Sequence, residues 1–145
     1  MNPLRSTSSF EDRVSLLTQE LTSLRDPQER LAWLIRRPSA PQVLLDAGGR
    51  QNDHLVPGCA SRFWLACTYA DGRCHFACDS DSAILRSLGA LLCEVYNDLA
   101  PTEIVNQEPD FLRRLGILDP LSENRRRTVQ RLRERLRDFA KAAVA

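Results

Sequence analysis

Residues 61–69, "SRFWLACTY", and residues 73–79, "RCHFACD", are two β-type runs separated only by "ADG". Asp-Gly readily takes positive φ and closes tight hairpins. Two strands joined by so short a turn must be antiparallel neighbours, and this fixes the centre of the fold. A further short strand around His54–Val56 would extend the pair to a small three-stranded antiparallel sheet.

Helical periodicity flanks this hairpin on both sides. Phe10, Val14, Leu17, Leu21 and Leu24 recur at helical spacing. Asp26-Pro27 opens a second helix in the favoured cap-then-proline order, and it carries Leu31, Leu34 and Ile35 to about Arg37. "DAGGRQND" reads as a loop. After the hairpin, Ser80 or Asp81 caps a helix over about 82–98. It is apolar on most sides (Ile84, Leu85, Leu88, Leu91, Leu92, Val95) and so should pack centrally. "PTEIVN" and residues 109–115 read as short helices, and Ser122 caps a last, arginine-studded helix running toward 142. Residues 1–9 are polar and expected to be a disordered tail, leaving 10–145 as a single domain. The order, helices then meander then helices, is an α+β plan with the sheet packed against several helices.

The 145 residues suit one such domain, large enough to fold without disulfide staples. A net charge of +1 favours neither nucleic acid nor an acidic membrane as partner. Lys141 is the only lysine, which nearly excludes lysine-based covalent chemistry. No apolar run approaches the roughly 20 residues of a membrane span. The N-terminus has no apolar signal region, so the expected location is the cytoplasm. Thiols there are kept reduced, and five cysteines is an odd number, so a disulfide framework is disfavoured.

The cysteines divide by context. Cys67, inside a strand, and Cys93, on the apolar helix, read as small buried hydrophobes. Cys74 and Cys78 share a strand face but lie about 13 Å apart at strand rise. Zinc ligands must each sit about 2.3 Å from the metal, so an intact strand forbids their sharing one. Cys59 stands apart, because Pro57-Gly58 before it and Ala60-Ser61 after it make a turn that can present a thiol. It is either an incidental surface cysteine or a functional one. A cysteine hydrolase would need a base. His54 and His75 are the only histidines, and nothing in the sequence orients His54 toward that task. A thiol that accepts a group from another enzyme needs no resident base, and that fits better.

The residues around Cys59 resemble the signature of the SufE family, sulfur acceptors for cysteine desulfurases in iron–sulfur cluster assembly. The pattern is met by Val56, Gly58, Cys59, Ser61 and Trp64 of "VPGCASRFW". "DSDSAILRSLGALL", "YNDLAPTEIVN", "FLRRLGIL" and "LSENR" follow in family order, and "ERLAWLI" upstream resembles its second helix. The likeness spans about residues 10–140. It implies that Cys59 takes persulfide sulfur from a pyridoxal-phosphate cysteine desulfurase (SufS- or CsdA-like), stimulates that enzyme and passes sulfur to a cluster scaffold or other recipient. The spacing of Cys74 and Cys78 and the want of a converging third ligand lead to the expectation of no metal, and no cofactor is expected either. The resemblance also implies a loop that shelters the thiol at rest, with Ser61, Asp81 and Arg125 as supporting residues; His54, five residues upstream of Cys59, is a further candidate by position alone. Cys78 replaces a usual glycine and Thr128 another. A second thiol near the loop makes Cys78 a candidate to resolve a Cys59 persulfide. The rival readings are a NifU/IscU-type cluster or zinc scaffold, which needs converging ligands, and a thiol-redox protein.

Overall fold

In the computed structural model, residues 9–59, 61–107 and 111–144 are described. Of the expected tail at residues 1–9, residues 1–8 lie outside them. Ser9 is already ordered as a helix cap, accepting a hydrogen bond from the Asp12 N–H.

The hairpin forms as its sequence requires. Strand β1 (Phe63–Ala70) pairs antiparallel with β2 (Arg73–Ser80) in the register Phe63–Ser80, Leu65–Cys78 and Cys67–Phe76. Asp71 (φ 55°) and Gly72 (φ 77°) turn the chain in the left-handed region. Period-2 alternation puts Phe63, Leu65, Cys74, Phe76 and Cys78 on one buried face.

Six helices occur among the described residues: α1 (Phe10–Leu21), α2 (Pro27–Arg36), α3 (Ala83–Tyr96), α4 (Pro101–Val105), α5 (Phe111–Arg114) and α6 (Glu123–Val144). Helix α3 is the central one, buried on most sides as its composition dictates. It lies so close to the sheet that a Cβ at Gly89 would sit 2.4 Å from Phe63 Cζ and 3.0 Å from Cys78 Sγ. Helix α6 reaches the same sheet through Phe139, edge-on to Phe76 at 5.9 Å. Phe10, Tyr96 and Phe111 form an aromatic cluster that ties α1 and α5 to α3.

Two cations, one buried and one half-buried, close the frame. Arg13, 1% exposed, donates to the carbonyls of Glu94, Val95 and Asn97, satisfying the open C-terminal end of α3. Arg37 pairs with Glu94, whose side chain is 2% exposed.

Two expectations are corrected. The third strand is absent among the described residues, and the sheet has two strands. Residues 52–54 instead form a 3₁₀ turn, and Leu55 makes only an isolated bridge to Trp64. The Val56 N–H donates to the Phe63 carbonyl, but Pro57 has no N–H and Gly58 turns left-handed, so the ladder stops there. The cap of α3 is Ser82, which accepts from the Leu85 N–H, rather than Ser80 or Asp81. Strand β2 runs through Ser80, whose hydroxyl donates to the Arg62 carbonyl and accepts from the Ser82 N–H.

Candidate functional site

The loop between the Leu55 bridge and β1 carries Cys59 onto the first turns of α6. Gly58 has φ +83°, a conformation that costs any other residue because of its Cβ. Space demands glycine as well, since a Cβ there would lie 2.8 Å from the Arg131 guanidinium carbon. The loop backbone thus rests directly against a cation of α6. Cys59 is half-buried, with one side packed on the hydrophobic core.

An open cleft of about 340 Å³ is lined by Gly58, Cys59, Asn124, Arg127 and Arg131. A neighbouring one of about 330 Å³ is lined by Ser61, Leu85, Ser122, Asn124, Arg125 and Thr128. Asn124 belongs to both, so the two form a continuous track over the start of α6. The Arg127 guanidinium donates to Asn124 Oδ1 at 3.0 Å. Among the described residues, Arg131 forms no hydrogen bond or ion pair. The thiol therefore shares its cleft with two guanidiniums that form no ion pair among the described residues.

Of the sequence candidates, Cys59, Ser61 and Arg125 are brought to this track. Among the described residues the Ser61 hydroxyl makes no hydrogen bond, so its place is as a lining group. Asp81 accepts from Arg62 Nε at 2.9 Å, clamping the entry of β1 to the exit of β2. His54 is committed elsewhere, with Nδ1 2.8 Å from the Gly49 carbonyl, which accepts its proton and braces the 47–55 segment. Trp64 is covered by two guanidiniums, Arg50 at 5.0 Å and Arg62 at 5.5 Å from its ring. Arg50 also pairs with Asp79, as does Arg86. This cluster holds the loop's base rather than touching the thiol.

Three of the other four thiols are core groups, and Cys67, expected to be buried, is instead half-buried against the core because its end of β1 runs out toward the exposed hairpin turn. Cys74 and Cys78 are 0% exposed and Cys93 is 1% exposed. Cys78 points at α3 and is linked to Cys93 by a thiol–thiol hydrogen bond, which together with complete burial pushes the Cys93 thiol well up. Burial pushes Cys67 up to about 11 and also raises Cys74. Cys67, Cys74 and Cys93 therefore stay protonated and poorly nucleophilic near neutral pH.

Sequence reasoning missed Asn124, Arg127 and Arg131. Their signal was the i, i+4 spacing of Arg127 and Arg131 on a helix whose arginines read as a solvated face. Only the docking of the Gly58 loop singles them out from the rest.

Comparison with known proteins places the fold and the family. A family model described as SufE, an Fe-S metabolism associated domain, matches residues 15–140. The SufE-like protein slr1419 of Synechocystis is 26% identical over 124 residues, covering 86% of this chain and 77% of that protein. The chloroplastic quinolinate synthases of Arabidopsis thaliana and Nicotiana tabacum are 28% and 29% identical over 78% and 72% of this chain. Those matches occupy only 16% and 15% of the synthases' own length. A solution structure of a hypothetical protein from Thermus thermophilus shares the fold, with a TM-score of 0.65 at 18% identity, covering 91% of this chain and 96% of that one. With a family match running from α1 through nearly all of α6, the chain belongs to the SufE family of iron–sulfur metabolism.

Proposed function

We propose that this protein is a sulfur acceptor for a pyridoxal-phosphate cysteine desulfurase, that it stimulates that enzyme, and that it passes the sulfur on for iron–sulfur cluster assembly. The observation that carries the reading is Cys59 itself: a half-buried thiol on a reversing loop, at the mouth of a cationic cleft. In the transfer step the Cys59 thiolate attacks the outer sulfur of the donor's persulfide. The Cys59–S bond forms, the donor S–S bond breaks, and the donor leaves as its own thiolate. No net oxidation occurs and no resident base is needed, which suits a site where His54 is held by Gly49.

Among the described residues no three His, Cys, Asp or Glu side chains converge as metal ligands. The distribution of thiols, with Cys59 half-buried on a loop, Cys67 half-buried on β1 and the other three in the core, supports a carrier over a scaffold. No helix among the described residues is long and apolar enough to cross a membrane. We place the exchange in the cytoplasm, where free thiols persist.

The test is desulfurase turnover with free cysteine, read as alanine release. The protein should raise the rate, and Cys59→Ser should not. Equal stimulation by Cys59→Ser would remove Cys59 from the role.

A further inference from the structure

We propose that the cleft formed by Cys59, Arg127 and Arg131 is an oxyanion subsite through which Cys59 also takes sulfane sulfur directly from small anionic donors of the thiosulfate class. The inference rests on the reading of Cys59 as a sulfur acceptor and adds a donor that no protein supplies.

Three observations carry it. First, the cleft of about 340 Å³ has room for a small tetrahedral oxyanion beside the thiol. Second, its charged lining is two arginines, four residues apart on one face of α6. Neither forms an ion pair among the described residues. Like charges at that spacing destabilise a helix, so an anion between them would relieve a standing repulsion. Third, both cations lie at the site. Asn124 accepts from Arg127, and the Arg131 guanidinium lies against Gly58 where a side chain would otherwise stand. Guanidinium pairs suit planar, forked recognition of oxyanion oxygens.

The chemistry balances without a further reagent. Cys59 loses its proton to solvent, and its thiolate attacks the outer sulfur of thiosulfate. The bond from that sulfur to the sulfonate sulfur breaks, and sulfite leaves with the electron pair. Cys59 is left as the persulfide anion, at the same oxidation balance as in transfer from a protein persulfide. Arg127 and Arg131 hold the sulfonate oxygens, so they are binding residues for this donor.

The experiment uses the full chain, excess thiosulfate and no desulfurase, with peptide-mapped mass spectrometry. The expected result is a gain of about 32 Da, one sulfur, on Cys59. Loading should saturate with thiosulfate and be inhibited by sulfate. In Arg127→Gln/Arg131→Gln, thiosulfate loading should fall about tenfold or more relative to loading by a desulfurase with cysteine in the same preparation, the loss expected for charge-assisted contacts. Arg131→Lys in the Arg127 background should recover part of it. If a desulfurase loads Cys59 and thiosulfate does not, the subsite is wrong and the acceptor role stands. If the double variant loads from both donors in the wild-type ratio, the arginines do not bind the anion and the inference is overturned. If neither donor loads Cys59, the acceptor reading falls with it.

Discussion

Gly58→Ala perturbs the one position where backbone conformation, cationic cleft and thiol meet. The residue sits at φ +83°, and alanine in the left-handed region costs about 1–2 kcal/mol. The new methyl would also lie 2.8 Å from Arg131 Cζ and Nη1, closer than real contacts allow. Arg131 is exposed and flexible, so it yields, and the conformational cost dominates the stability change. For a domain of this size about 1–2 kcal/mol lowers Tm by roughly 3–8 °C. The functional loss should be larger in proportion. Displacing the loop and the guanidinium together misplaces the thiol, so sulfur loading from a desulfurase should slow by about tenfold or more. Urea titration and thermal melting read the first effect, and timed mass spectrometry reads the second. Adding Arg131→Ala removes the clash and leaves φ unchanged, so most of the lost stability should persist in the double variant. Wild-type stability and loading in Gly58→Ala would refute the left-handed turn as the device that holds the thiol. Full recovery of stability by Arg131→Ala would show that crowding, not φ, was the cost.

Gly89→Ala places a methyl against Phe63 and Cys78 in the packed α3–sheet interface, so it should cost about 1–3 kcal/mol or more and make Cys78 reactive toward a thiol reagent in the native protein. Arg37→Ala removes the bidentate pair to the buried Glu94 carboxylate and should lose about 1.5–3 kcal/mol in urea denaturation, with Arg37→Met no better at restoring it. In the native protein at pH 8, Cys59 should alkylate well before Cys67, Cys74, Cys78 and Cys93, as peptide mapping would show. The Cys67 thiol, pushed up to about 11 by burial from an ordinary 9.0, also sets a pH dependence. Below pH 9.0 it is protonated in both folded and unfolded chains; between 9.0 and about 11 only the unfolded chain loses the proton. Unfolding then releases a proton, so stability should fall as pH rises through that window, and less steeply in Cys67→Ala.

The hairpin, the order of helices and the central place of α3 were legible because period and turn chemistry are local. Phe63–Leu65 and Cys74–Cys78 alternate, and Asp71-Gly72 closes them. The third strand was not legible. Extended residues at 54–56 read the same whether they pair along a ladder or make one bridge, and Pro57-Gly58 decides the outcome. Cys59 stood out by its turn and its neighbours, and Ser61 and Arg125 came with it. Arg127 and Arg131 did not, since a helix with many arginines gives no sign of which pair a distant loop will lie upon. Cys78 looked close to the loop in sequence, yet strand alternation turns it to the core face against Gly89 and Cys93. Asp81 looked like a cap and instead clamps Arg62, because β2 runs on through Ser80 and moves the cap to Ser82.

The central claim is that Cys59 carries the sulfur. Incubation of the protein with a pyridoxal-phosphate cysteine desulfurase and free cysteine, followed by quenching, differential alkylation and peptide mapping, tests it directly. The account predicts a gain of about 32 Da on the peptide bearing Cys59, absent from Cys59→Ser and absent from the peptides bearing Cys67, Cys74, Cys78 and Cys93. A persulfide found on any of those four in the folded wild type, or retained in Cys59→Ser, would contradict it.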